Sequence, residues 1–156
     1  MLNKMVAKFA DQFSVEEVSA HCDGPCGVYD PASARIAAEA VLSMTNKMLG
    51  LEKPSDAAGM AAYLNTMSRY ASIKEEQAHL AKSELLVLWT DYFKPVHLDA
   101  YPDLHTTFWN AAKLCSACKV EVNADHANEL MNAIESIHNM FWASKGRDDV
   151  AFYRAG

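Results

Sequence analysis

Residues 55–93 read SDAAGMAAYLNTMSRYASIKEEQAHLAKSELLVLWTDYF, and nothing in them stops a helix before Pro95. Met60, Leu64, Met67 and Ala71 recur at three- and four-residue steps, the spacing of one helical face. The pattern resumes through Ala78, Leu85, Leu88 and Trp89. Ser55, after Pro54, is placed to cap the start. The stretch therefore predicts one long helix with room for a kink, followed by a loop over residues 94–101.

Working outward, few stretches read as strands. Asp30 is a natural N-cap and Pro31 a natural first helical residue, so a helix is expected from there to Leu49, with Gly50 as its stop. Its apolar positions, Ile36, Ala40 and Leu42, share their faces with Ser43 and Lys47, so the buried side is ill defined. A third helix should start near Pro102, carry Leu104, Phe108, Ala111, Ala112 and Cys115, and end between Val120 and Asn123. A fourth should run from Ala124 to Lys145, with Leu130, Ala133, Ile134, Ile137 and Phe141 inward and Gly146 as its end. Four helices with short loops predict an all-α chain: an antiparallel up-down four-helix bundle over residues 32–146. Residues 147–156 are expected to be a less ordered tail.

The chain has 156 residues, enough for one domain with a proper core, and 51% of them are hydrophobic. A net charge of −6 argues against a general nucleic-acid binder. No apolar run is long enough to span a membrane. Residues 1–20 carry Lys4 and Lys8, with Val6, Phe9 and Phe13 at helical spacing, but lack the continuous apolar core of a secretory signal. Asp11, Glu16 and Glu17 also count against a transit peptide. A short amphipathic helix and a cleavable linker are expected there. A cytoplasmic setting, in which thiols stay reduced, is expected for the whole chain.

The chemistry is concentrated in residues 21–31, His-Cys-Asp-Gly-Pro-Cys-Gly-Val-Tyr-Asp-Pro. An imidazole and two thiols fall within six residues, returned on one another by the Gly24-Pro25 turn. A structural zinc site wants four side-chain ligands, and His21, Cys22 and Cys26 are only three. A chain beginning at His21 would add its α-amine. The amine, the amide nitrogen of Cys22 and the Cys22 thiolate would chelate through two fused five-membered rings. Cys26 would close the plane and the His21 imidazole would be axial. Planar coordination with an ionised amide points to nickel or copper more than to zinc. Cleavage between Ala20 and His21 would create the amine ligand, so the segment reads as a metal hook completed by removal of residues 1–20.

Cys115 and Cys118 form a Cys-x-x-Cys inside a predicted helix, without the preceding strand of a thioredoxin-like site, and are expected to be core residues. His97 and His105, beside the loop after the long helix, are expected in capping or interface roles. His79, His126 and His138 read as ordinary helical histidines.

The hook resembles that of nickel-containing superoxide dismutases. The likeness continues in Ala34-Arg35-Ile36, Lys74-Glu75, Leu80-Ala81-Lys82 and the run Val87-Leu88-Trp89-Thr90-Asp91-Tyr92-Phe93-Lys94-Pro95. It extends through Tyr101-Pro102-Asp103-Leu104-His105 to Phe141-Trp142, and so covers most of residues 21–145. The resemblance implies a nickel ion as cofactor and superoxide as substrate, disproportionated to oxygen and hydrogen peroxide through a Ni(III)/Ni(II) cycle. It implies His21, Cys22 and Cys26 as nickel ligands and Tyr29 beside the open axial face. Asp23 and Pro25 would shape the hook, and Tyr92 and Lys94 would flank the site, with Lys94 attracting the anion. It also implies a homohexamer and a maturation protease for the leader. Where some members hold the axial imidazole with a glutamate and an arginine, this chain has Ala37 and Gln77, so the surroundings of His21 differ.

Two other readings compete: a helical nickel or copper carrier that holds metal without consuming superoxide, and a metal-free thiol redox protein using Cys22 and Cys26. The three separate on mutation. Cys22→Ser or Cys26→Ser should abolish nickel-dependent superoxide consumption, and full activity in either would sink the ligand set. His21→Ala should keep some nickel while losing most turnover; near-normal activity in the metallated variant would contradict an axial role.

Overall fold

The computed structural model describes residues 27–155, and among them there are helices and no strand. Helix α1 spans Ala32–Leu49. It starts just after Pro31, later than the sequence suggests, but Asp30 still acts as expected: its Oδ1 accepts the Ala32 amide at 2.8 Å. The inward face is Ala34, Ala37, Ala38, Val41, Thr45 and Met48. The sequence left this side undefined; Ile36 points away from it and is 58% exposed. The small alanines let the next helix approach closely. The buried hydroxyl of Thr45 donates to the Val41 carbonyl at 2.8 Å, so it adds no unpaired polar group. Gly50 ends the helix at φ −86°, a value open to any residue.

Helix α2 spans Ala57–Val87. Its N-cap is Asp56 rather than Ser55, with Oδ1 accepting the Gly59 amide at 2.8 Å. Its buried positions are Lys74, Ala78, Ala81 and Leu85. Met60, Met67 and Ala71 are only half-buried and Leu64 is exposed, so the first half of the periodic stripe lies outside the core. The helix passes directly into a π-helical turn, Leu88–Tyr92, closed by the Phe93 amide donating to the Leu88 carbonyl at 3.1 Å. The chain then extends at Phe93 and Lys94, as a residue before proline prefers, and makes a short 3₁₀ turn at Pro95–His97.

Helix α3 spans Leu104–Val120 and helix α4 spans Ala124–Ser144. Asn123 caps α4 by accepting the Asp125 amide at 2.8 Å. Gly146, in the left-handed region at φ +69°, releases the chain from the end of α4. Each helix packs on its successor, and α4 packs back on α1, which closes the four-helix bundle. Phe108, Phe141, Leu85, Leu104, Leu130 and Ile134 are among its fully buried side chains.

The tail corrects another expectation, because it packs down on α1 and α4. His138 Nε2 lies 2.9 Å from the Val150 carbonyl, and Phe152 stands edge-on to the His138 ring. Arg154 reaches Glu135 at 2.7 Å, and the Ala155 amide donates to the Glu39 carboxylate.

Lys74 is the one charged residue in the core among those described, at 3% exposure. Burial pulls its ammonium below the ordinary lysine range, against the charges of Cys118 and Glu75. Its Nζ donates to the carbonyl of Cys118 and, at 3.0 Å each, to those of Lys119 and Glu121. These belong to the end of α3, where helical carbonyls lack partners of their own. Lys74 therefore ties the middle of α2 to the end of α3. Lys74→Met would leave the carbonyls unpaired, with an expected loss of about 2–3 kcal/mol on denaturant unfolding. An unchanged midpoint would show that the lysine is not holding the two helices.

Candidate metal centre

His21, Cys22, Asp23, Pro25 and Cys26 lie outside the described residues. The description begins at Gly27, whose φ of +68° is left-handed and favours glycine. The chain turns there and carries Tyr29, two residues on, against the bundle. Tyr29 is half-buried, and its ring centroid lies 5.5 Å from that of Tyr92. A cavity of about 220 Å³ opens beside it, lined by Tyr29 and Asp30 just before α1, Ser33 in its first turn, Glu84 near the end of α2 and Leu88 of the π-helical turn.

Tyr92 is the centre of this end of the bundle. Its ring lies 4.5 Å from Phe141 of α4 and 5.0 Å from Phe93, and stacks at 14° on His97. His97 also accepts the Lys94 amide through Nδ1 at 3.0 Å, the capping role expected of it. The Tyr92 hydroxyl meets Ser144 Oγ at 2.6 Å. Lys145 Nζ stands 5.3 Å from the Tyr92 ring centroid and 4.9 Å from that of Phe141.

Of the candidate site residues that are described, Tyr29 and Tyr92 are brought together by the fold. Lys94 is exposed, two residues beyond Tyr92. Ala37 is fully buried, Gln77 is half-buried on α2, and Glu39 is taken up by Arg35 at 3.1 Å. Three residues beside the two tyrosines escaped the sequence reading: Glu84, Ser144 and Lys145. Glu84 looks like any solvated charge on a long helix. Ser144 and Lys145 look like ordinary residues of a helix C-terminus.

The Cys-x-x-Cys lies apart from this site. Cys115 and Cys118 are buried in the core on α3, as expected. Burial, aided by the nearby Cys118, pushes the Cys115 thiol up to about 12; burial also pushes Cys118 up to about 11, against the pull of Lys74. Among the described residues no group of histidine, cysteine and carboxylate side chains is arranged to hold a metal ion. The donors that fit one are those of the hook. The two thiols and the imidazole, with the amine and amide nitrogen that a chain beginning at His21 would add, would make a mixed sulfur and nitrogen set that suits nickel.

The comparisons with known proteins agree with that chemistry. The sequence model of nickel-containing superoxide dismutases matches residues 16–145. The chain is 43% identical over 129 residues to the superoxide dismutase [Ni] of Streptomyces seoulensis, covering 83% of this chain and 91% of that protein. It is 42% identical over 128 residues to that of Streptomyces coelicolor, covering 82% and 90%. A crystal structure of a nickel-containing superoxide dismutase, in the ligation state after partial X-ray-induced reduction, superposes with a TM-score of 0.72 at 42% identity. It covers 81% of this chain and 99% of the other.

The two core thiols have a distinct signature in solution. Both are held protonated more firmly in the fold than in the unfolded chain, where thiols titrate near 9.0. Their contribution to stability is complete below that pH and is lost as the pH climbs toward about 11 and about 12. At about pH 8, where an ordinary thiol already reacts, iodoacetamide should leave Cys115 and Cys118 unlabelled in the native protein. Both should label after denaturation. Peptide mapping that found either one alkylated in the native state at the rate of an exposed thiol would contradict the burial.

Proposed function

The chain belongs to the nickel-containing superoxide dismutase family, and we propose that His21, Cys22 and Cys26 hold its nickel. It is a nickel-dependent superoxide dismutase, an oxidoreductase that disproportionates superoxide to oxygen and hydrogen peroxide. Nickel held there would supply the one-electron Ni(III)/Ni(II) chemistry, and the Cys22 and Cys26 thiolates with the Cys22 amidate would favour the higher state. The α-amine of His21 and the amide nitrogen of Cys22 would complete the ligand set, which would then form only once a maturation protease had removed residues 1–20.

The observation that carries this site reading is the contact of Tyr29 with Tyr92, directly after the left-handed turn at Gly27. It fastens the chain that leaves the hook to one end of the bundle. Tyr29, packed on Tyr92 and lining the cavity, would stand beside nickel held by the hook and restrict what reaches it. Asp23 and Pro25 shape the turn between the two thiolates. Lys94, with Lys145 behind the Tyr92 ring, draws the superoxide anion toward this end of a chain whose net charge is −6. With Ala37 and Gln77 in place of a glutamate and an arginine, Asp30 and Glu84 are the described carboxylates that line the cavity beside Tyr29.

The working form is a homohexamer in the cytoplasm. Exposed Ile36, Leu49, Leu64 and Trp109, each more than half accessible in the single chain, support assembly. Superoxide consumption by two nickel-loaded preparations, the full-length chain and a chain starting at His21, tests the maturation step. Activity confined to the shortened form is expected. Equal activity in both would rule out an essential free amine, and nickel bound without activity in either would indicate a carrier.

A further inference from the structure

Ser144, the last residue of α4, makes two short contacts. Its Oγ donates to the Phe141 carbonyl at 2.6 Å, and it meets the Tyr92 hydroxyl at 2.6 Å. A serine hydroxyl has one hydrogen and two lone pairs. The Phe141 carbonyl can only accept, so that hydrogen is committed to it. In the second contact Tyr92 must therefore be the donor and Ser144 the acceptor. Both distances are within the range of good O–H···O bonds.

We propose that Ser144 is a positioning residue that fixes the direction of the Tyr92 hydroxyl hydrogen, so that Tyr92 serves the site as a hydrogen-bond acceptor and not as an acid. The proposal rests on the reading of the Tyr29–Tyr92 end of the bundle as the reaction site. The ring itself is immobilised by Phe141 and His97, and Lys145 stands over it, so rotation of the hydroxyl is the freedom that remains. With the hydrogen turned toward α4, the phenol oxygen offers only lone pairs elsewhere. It can orient a donor, such as a water or the Tyr29 hydroxyl. It cannot donate to an anion without breaking the bond to Ser144. The line of hydrogen bonds ends on a helix carbonyl that has no proton to give, so the two protons needed to make hydrogen peroxide do not arrive through α4. They must come from another direction, with Tyr92 free to hold their donor in place as an acceptor.

The test has a structural and a functional arm. In metal-free protein, the Tyr92 hydroxyl proton should give a slowly exchanging NMR resonance with a cross-peak to the Ser144 methylene. That resonance should survive in Ser144→Thr and vanish in Ser144→Ala and Tyr92→Phe. Its absence from the wild type, or its persistence in Ser144→Ala, overturns the proposal. In the nickel-loaded chain beginning at His21, Ser144→Ala frees the Tyr92 hydrogen to donate to a small anion. Azide should then inhibit superoxide consumption at a concentration lower by roughly 2- to 10-fold, the worth of one hydrogen bond. Ser144→Thr should behave as wild type, and Ser144→Ala should change nothing further in a Tyr92→Phe background. Unaltered azide inhibition in Ser144→Ala, or an equal change in the Tyr92→Phe background, overturns it. Failure of the site reading shows differently: Tyr92→Phe would leave turnover and azide inhibition untouched while the NMR arm still decided the direction of the bond.

Discussion

The π-helical turn at Leu88–Tyr92 is the constraint on which this end of the molecule depends. Closing a turn with an i to i+5 bond adds a residue to the helix and rotates everything after it relative to an unbroken α-helix. Tyr92 and Phe93 take their places because of that rotation. Phe93 packs on Phe108 of α3, and Tyr92 packs on Phe141 of α4 and on Tyr29. Trp89, within the turn, stacks on Phe108 at 6° and donates to His105 Nδ1 at 2.9 Å. The turn thus joins the end of α2 to both later helices and to the segment leaving the hook. Such turns are found disproportionately at functional sites, and here the turn ends on the residue around which the candidate site is built.

Farther along the bundle, different means hold the helices together. Ala34, Ala37, Ala38, Ala78 and Ala81 are fully buried, so α1 and α2 each turn several small side chains into the core. The buried ammonium of Lys74 supplies partners for carbonyls at the end of α3. The hook itself is short and cannot make a core of its own. The described chain begins just after it, with the left-handed turn at Gly27 and Tyr29 packed on Tyr92.

How much of this was legible in the sequence follows from the range of the interactions. The helices and their approximate ends are local properties, set by periodicity, caps and the proline and glycine positions, and they read well. The hook's candidate donors are also local in sequence, falling within six residues. Misreadings arose where a distant partner decides. Met60, Leu64 and Met67 have helical spacing, but among the described residues Leu64 stays exposed and the two methionines are only half-buried, so the stripe is not part of the described core. The tail looked unstructured because its partners, Glu39, Glu135 and His138, are far away in sequence. Ser144 and Lys145 are unremarkable as letters. Only the closing of α4 against the π turn gives them Tyr92 as a neighbour.

The central claim is that a free amine at His21 completes the metal site on this bundle. Nickel titration of the chain beginning at His21 tests it most directly, with the α-amine free in one sample and acetylated in the other. The account predicts one tightly held nickel and a thiolate-to-nickel charge-transfer band in the free-amine protein, and loss of both on acetylation. The same affinity and the same band in the acetylated protein would contradict it.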